Sequence, residues 1–334
     1  MQKRVGLFRL QLLSWYDANK RDLPWRKDSD PYRVWLSEIM LQQTRVAAVL
    51  EHYRRFLRRF PTVAKLAAAR ESSVLAAWSG LGYYRRARML HAAAKLVVRE
   101  YGGIFPGSAK QLRDLPGVGR YTAAAIASIA FGEAVAAVDG NVQRVLSRVS
   151  RVNPEAAEIW EIAAGMLDPV HPGDFNQAMM ELGATVCLPR QPRCLVCPVM
   201  QTCATRGEGT SREKKVRQQK REIHYALDRR NGSFFLVQRS KDASLMPGMW
   251  ELPEIADPAN NNGEPWLTLR HSITVTDYLV KVIRAAAPPT ACGQWIEQSR
   301  LQKLPLTGLA RKILRAADLK DRLDRAGKPG VAGF

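Results

Sequence analysis

The sequence predicts a two-domain protein: an all-helical domain closed by a cysteine-rich loop, then a smaller α+β domain. Three observations carry this. The chain has 334 residues, too many for one ordinary core. Apolar residues recur at spacings of three and four through the N-terminal part, and β-branched and aromatic runs replace them after residue 222. Between the two regimes, Cys187, Cys194, Cys197 and Cys203 fall in one stretch with the pattern C-x6-C-x2-C-x5-C. The expected boundaries are a helical domain over 1–205, a basic linker over 206–222, an α+β domain over 223–319 and a tail over 320–334.

The helical reading rests on Val34, Ile39 and Leu41, then Val46, Val49 and Leu50, and on the same habit over Leu66–Trp78 and Met89–Val98. Short punctuation separates these segments at Pro24, Pro31, Pro61, Gly80, Gly82, Gly102 and Gly103. The longest apolar run, Tyr121–Val138, is Ala-rich and interrupted by Glu133, so it reads as a soluble helix and not a membrane span. Arg212, Lys214, Lys215, Arg217, Lys220 and Arg221 crowd the linker with one acid, Glu213; such a run is either a hydrated tether or a phosphate-contacting strip. Beyond it, Asn231-Gly232 ahead of Phe234, Phe235, Leu236 and Val237 predicts a hairpin. Ile273, Val275, Tyr278, Val280 and Val282 predict further strands, and Leu309–Ala317 a helix. The tail from Lys320 is charged, contains glycine and is expected to fray.

Fifty-one Lys and Arg against 31 Asp and Glu give a net charge of +20. Self-repulsion of that size is offset by a polyanionic partner, and nucleic acid fits better than a membrane surface. The four clustered cysteines read as a closed thiolate site, for which their spacing permits either zinc or an iron–sulfur cluster. A disulfide reading requires an oxidising compartment, and the first residues carry no secretory pattern, so a cytoplasmic location is expected. Cys292 stands apart as an ordinary thiol.

Four constellations carry chemistry. Leu115-Pro116-Gly117-Val118-Gly119-Arg120 leads into an Ala-rich helix; Gly117, Val118 and Gly119 would present bare N–H groups, and Arg120 a charge, to a phosphate backbone. Asp139 stands before Gly140-Asn141, where it is either a helix N-cap or a desolvated carboxylate facing a cleft. Glu38 lies inside the apolar run Leu36–Leu41, where it is either on a surface stripe or a buried acid held protonated. Tyr83, Tyr84, Arg85 and Arg86 combine rings that can wedge into stacked bases with guanidiniums that can hold phosphates; the competing reading is core packing at a helix start.

Together these motifs resemble the helix–hairpin–helix DNA glycosylase superfamily, and within it the adenine glycosylases. The cysteine spacing is similar to that family's [4Fe–4S] loop, and L-P-G-V-G-R followed by V-D to its hairpin and catalytic aspartate. S-E-I-M-L-Q-Q-T, P-W-R at Pro24–Arg26 and G-L-G-Y-Y-R-R-A-R resemble segments specific to the adenine enzymes. Past the linker, Met246–Pro253 and Leu304-Pro305-Leu306 resemble the family's Nudix-like C-terminal domain. No Nudix hydrolase box is present, so that domain is expected to bind and not hydrolyse.

The resemblance implies a monofunctional enzyme acting on double-stranded DNA that carries adenine opposite 8-oxoguanine or guanine, working as a monomer. Expelling adenine is eased by protonating its seventh ring position, which assigns Glu38 as general acid. An anion stabilises the oxocarbenium-like sugar or traps it covalently, which assigns Asp139 to one of those two roles, with Tyr121 and Asn141 orienting it. Trp25, Arg26, Leu41 and Gln177 would line the adenine pocket, and Gln43 and Tyr83 would fill the vacated stack. Glu181 is expected to serve structure near the cysteine loop. Where related endonuclease III enzymes carry a Schiff-base lysine, this chain has Tyr121, so strand cleavage is not expected. The family's lesion-reading H-T-F-S-H becomes His271-Ser272-Ile273-Thr274-Val275, leaving Thr274 to offer a hydroxyl. Two other functions compete: removal of thymine from G:T mispairs, and DNA binding by a non-catalytic iron–sulfur protein.

Overall fold

The computed structural model describes residues 2–152, 158–208, 219–256, 264–273 and 276–326, with side chains through 319. The chain divides into two compact units, Met1–Ala68 with Met89–Lys214, and Ala69–Arg88 with Lys215–Phe334. Residues 69–88, which the sequence pattern assigns to the helical domain, therefore cluster with the C-terminal unit.

The helices in chain order are α1 (Gln2–Asn19), α2 (Pro31–Leu41), α3 (Val46–Arg59), α4 (Val63–Ala67), α5 (Glu71–Trp78), α6 (Arg85–Tyr101), α7 (Ala109–Leu112), α8 (Arg120–Phe131), α9 (Gly140–Ser150), α10 (Glu158–Met166) and α11 (Pro172–Thr185). Among its described residues the first unit contains no strand. Its core joins Phe8, Leu12 and Tyr16 of α1 to Val142, Val145, Leu146 and Val149 of α9 and Phe175, Ala178, Met179 and Leu182 of α11. Each set repeats at three or four, the spacing of one buried helix face. Local chemistry sets the ends. Asp30 accepts the Arg33 N–H at 2.9 Å and Pro31 opens α2, so the helix carrying Glu38 starts there. Gly132, at φ 71°, stops α8 at Phe131, so the apolar run expected to continue to Val138 as one helix breaks into a helix and a loop.

Helix α11 lies backbone-close to its neighbours because two glycines permit it. A Cβ on Gly173 would stand 2.7 Å from the Ser128 carbonyl, and one on Gly183 would stand 2.6 Å from Asn141 Cβ.

The second unit holds two small sheets. β1 (Gln219–Ala226) runs parallel to β6 (Thr276–Ile283), which pairs antiparallel with β5 (Leu267–Ile273). In the other sheet β3 (Ser233–Gln238) pairs antiparallel with β2 (Arg229–Arg230), β4 (Trp250–Glu251) and β7 (Gly293–Glu297). Asn231 and Gly232, at φ 46° and 74°, make the expected turn between β2 and β3. Leu309, Ile313 and Leu314 of α12 (Gly308–Ala326) pack on Phe234, Leu236, Val280 and Ile296. That helix extends past the expected Ala317 and through the start of the segment expected to fray. Within this unit Ser79 Oγ and Tyr84 OH both donate to the Leu306 carbonyl, at 2.8 and 3.0 Å, which ties the 69–88 segment to it.

Candidate active site

Helices α2, α8, α9 and α11 and the loops ahead of α2 and α3 enclose a cavity of about 760 Å³, within the size range of small-molecule sites. It is lined by Glu38, Tyr121, Asp139 and Asn141, and by Trp25, Arg26, Leu41, Gln43 and Gln177. Nine side chains expected from sequence to act together thus meet in one place.

Glu38 is on the buried face of α2, 6% exposed. Burial raises its carboxyl to about 7; the hydrogen bond from Tyr121 opposes the rise, Asp139 adds to it, and Arg26 opposes it. Tyr121, in the first turn of α8, donates its hydroxyl to Glu38 Oε2 at 2.6 Å and lies 3.1 Å from Met180 Sδ. Tyr121 therefore hydrogen-bonds Glu38 rather than Asp139, the partner expected from sequence.

Asp139 is both of the things its sequence position allowed. Its Oδ1 accepts the Val142 N–H at 2.7 Å as the N-cap of α9, and Oδ2 accepts from Asn141 Nδ2 at 3.0 Å while the residue lines the cavity. Burial raises its pKa, and the Val142 and Asn141 hydrogen bonds pull the other way. Asn141 is held in turn by Arg144, whose Nη2 donates to Asn141 Oδ1 at 2.8 Å and to the Gly183 carbonyl at 2.7 Å.

Glu181 departs from expectation. It is 1% exposed, lines the cavity, and accepts from Arg21 Nε at 2.6 Å, Arg21 Nη2 at 2.8 Å and Arg26 Nη2 at 2.8 Å. Burial would raise its carboxyl, but the two guanidiniums outweigh that and hold it below its ordinary value. Its place is the pocket wall and not the support of the cysteine loop. Arg21, Met180 and Arg144 are further lining residues that sequence reasoning missed. A signal existed: Gln177, Met180, Glu181 and Ala184 share the i, i+3, i+4, i+7 face of one helix, so Gln177 in a pocket implied the others.

The expected stack-filling residues share a backbone property. Gln43 and Tyr83 both adopt left-handed conformations, at φ 53° and 48°, uncommon for side chains of their size. Tyr83 is 48% exposed, whereas Tyr84 is buried. Arg85 is exposed. Arg86 turns inward: its guanidinium stacks over Trp78 and Tyr83 and donates to the Leu81 and Gly82 carbonyls at 3.3 Å, and burial lowers its pKa to about 10. The phosphate contact expected of Arg86 is replaced by support of its own loop. Thr274 lies outside the described residues.

In the hairpin, Gly117 sits at φ 78° with its missing Cβ 2.6 Å from Met89 Cβ, so no other residue fits there. Val118 is buried and its N–H bonds the Leu115 carbonyl at 3.1 Å, so it anchors the turn. Gly119 caps α8 with no side-chain hydrogen bond, and Arg120 follows, exposed.

Cys187, Cys194, Cys197 and Cys203 line one common cavity. Arg148 Nη1 lies 3.2 Å from Cys187 Sγ, and the Arg206 N–H points at Cys203 Sγ at 3.4 Å. A Cβ on Gly207, at φ 90°, would come within 2.9 Å of Cys194 Sγ. Among the described residues no group of three or more His, Cys, Asp or Glu side chains is arranged to hold a single metal ion.

Comparison with known proteins places this geometry in a family. The family described as "HhH-GPD superfamily base excision DNA repair protein" matches residues 36–165. The adenine DNA glycosylase of Rattus norvegicus is 51% identical over 214 residues, covering 60% of this chain and 42% of that protein. That of Buchnera aphidicola subsp. Schizaphis graminum is 33% identical over 263 residues, covering 75% of each. A solved structure of a thermostable thymine-DNA glycosylase is 32% identical with a TM-score of 0.57, over 61% of this chain and 96% of that one. The chain spans less than half the length of the mammalian relatives it matches. With the helical fold, the hairpin and the cavity-facing Glu38 and Asp139 in hand, the match to three quarters of the Buchnera protein means that this chain belongs to the adenine DNA glycosylase family.

Proposed function

We propose that this protein is a monofunctional adenine DNA glycosylase of base excision repair, hydrolysing the N-glycosidic bond of adenine mispaired with 8-oxoguanine or guanine. The observation that carries the reading is a pair of carboxylates of different character on one cavity, Glu38 buried and Asp139 half-buried. Glu38 is raised to about 7 and so holds a transferable proton near neutral pH. Asp139 accepts a hydrogen bond on each oxygen, and these bonds favour its anion against the burial that raises its pKa.

The flipped adenine enters the cavity against Trp25, Leu41 and Gln177, and Glu181 fixes the Arg26 guanidinium beside it. Glu38 gives its proton to the seventh ring position, so the C–N bond breaks with the electron pair leaving on neutral adenine. The positive charge left on the sugar is met by Asp139. Water adds to the sugar carbon and its proton passes to a carboxylate, restoring the acid. Tyr121 carries no amine, so no Schiff base forms and the strand stays whole. Gln43 and Tyr83 fill the vacated stack; their left-handed backbones are local strain of the kind found at functional sites. The Gly117–Gly119 turn, Arg120 and Arg85 hold the phosphate backbone.

The four cysteines would hold a [4Fe–4S] cluster. A cluster takes one thiolate on each iron, so it needs thiols spread around a body. Four thiols that line one cavity, at the spacing of the family's cluster loop, fit that requirement. When bound, the cluster cross-links the loop over residues 187–203. The second unit serves as a Nudix-like domain that reads the opposing base, with Thr274 as the residue assigned to it by resemblance. The partner is mispaired double-stranded DNA, met by a monomer.

The test is single-turnover release of base from duplexes with adenine opposite 8-oxoguanine, adenine opposite guanine and thymine opposite guanine, beside Glu38→Gln. Adenine release that the variant abolishes is the expected result; release of thymine alone, or of nothing, overturns the reading. Thymine removal draws on the 32% identity to a thymine-DNA glycosylase, but it gives the raised acid at Glu38 no purine nitrogen to protonate.

A further inference from the structure

The guanidinium carbon of Arg120 lies 3.8 Å from the centroid of the Trp160 ring. The other cation–π contacts among the described residues span 4.8–5.5 Å. Trp160 is on α10, packs against the core of α1, α9 and α11, and carries the Arg120 guanidinium over its ring. Arg120 is exposed and opens α8 directly after the Gly117–Gly119 turn. Two acids, Glu158 and Glu161, flank Trp160 on α10, yet among the described residues no carboxylate pairs with Arg120.

We infer that Trp160 is a positioning residue for DNA binding: its ring holds Arg120 flat so that the guanidinium edge is presented to a backbone phosphate beside the hairpin. This rests on the reading of Arg120 as a phosphate contact. The two contacts use different parts of the group. Stacking engages the guanidinium face, while its N–H donors lie in the plane and point outward, so Arg120 can stack and clamp a phosphate at once. Holding a long, rotamer-rich side chain in place before DNA arrives removes part of the ordering cost of binding. Arg120 is also next to Tyr121, so the same stack steadies the first turn of the helix whose hydroxyl bonds Glu38.

The test measures binding of the full chain to a duplex with an A:G mispair and to its matched counterpart, by anisotropy, from about 50 to 200 mM salt. Arg120→Gln is expected to weaken both complexes about tenfold and to flatten the slope of log affinity against log salt by about 0.9, the value of one lost phosphate contact. Trp160→Met is expected to lose most of the same affinity and slope, and Trp160→Phe to keep them. The double variant is expected to be no weaker than Arg120→Gln alone. A general packing defect would lower stability but leave the salt slope in place. Should Trp160→Met not fold, exposed Arg120→Lys carries the test: it keeps the charge and loses the flat stack with a free edge, so it is expected to bind several-fold more weakly. Unchanged slope in Trp160→Met, additive losses in the double variant, or wild-type binding by Arg120→Lys overturns the inference. Unchanged slope in Arg120→Gln itself would instead overturn the phosphate role of Arg120.

Discussion

In the proposed mechanism Glu38 sets the working pH. Its folded-state pKa of about 7 lies above the ordinary 4.5 because burial disfavours the anion. With the acid form as the proposed proton donor, the single-turnover rate should fall as pH rises through about 7. Tyr121→Phe removes a hydrogen bond that lowers this pKa, so the alkaline limb of the pH–rate profile should move to higher pH; a shift to lower pH, or none, would show that the Tyr121 bond does not tune the acid. The same group bears on stability. The folded state binds this proton more tightly than the unfolded chain, so its contribution is fully present below about 4.5 and lost as pH rises through about 7. The loss amounts to about 3 kcal/mol. Glu38→Gln, while inactive, should therefore melt at a higher temperature than the parent at pH 8, with a smaller difference at pH 5; thermal melts at the two pH values decide this.

At the scale of elements, α9 and α11 do most of the positioning. The N-terminus of α9 aims Asp139 into the cavity by using it as the cap. Capping and catalysis separate under mutation. Asn caps a helix about as well as Asp, so Asp139→Asn should melt close to the parent yet release no adenine, whereas Asp139→Ala should lose about 1 kcal/mol of stability as well as activity. Melting curves beside single-turnover assays test the pair. Helix α11 can approach the Asp139-Gly140-Asn141 turn only because Gly183 has no side chain. Gly183→Ala should push the helices apart, costing about 1–3 kcal/mol. It should also slow base release more than it weakens DNA binding, because the displaced Asn141 holds Asp139 and not DNA.

Across the whole molecule, the net charge of +20 and the cysteine loop govern behaviour. Affinity for any duplex should fall steeply with salt, through counterion release, while the ratio of mispaired to matched binding changes less. Arg148 joins α9 to the loop, donating to the Leu188 and Pro189 carbonyls at 2.7 and 2.9 Å beside Cys187 Sγ. With the proposed cluster in that loop, stripping iron with an acid-chelator treatment should lower the melting temperature and the visible absorbance together. Loss of absorbance with unchanged melting would show that the loop folds without the cluster.

Much of this protein is legible in its sequence because the signals are local. Glu38 and Asp139 stand out as carboxylates among apolar neighbours, the four cysteines by spacing, Asn231-Gly232 by turn chemistry, and the helices by a three-and-four period spanning a few turns. Each is an interaction within a few residues, or a cost of burial that the flanking sequence announces. What only the tertiary structure decided are contacts between distant positions. Glu181 reads as one more acid on a helix until packing brings Arg21 and Arg26, more than 150 positions earlier, onto its two oxygens. Arg86 has the composition of a phosphate contact, and the loop's own carbonyls and rings claim it. Residues 69–88 have a helical pattern that fits either unit, and the Leu306 carbonyl assigns them. Arg120 and Trp160 carry no pattern linking them across forty positions of chain. Periodicity states which face of an element is buried but not what it is buried against, because that depends on how every other face is satisfied at the same time.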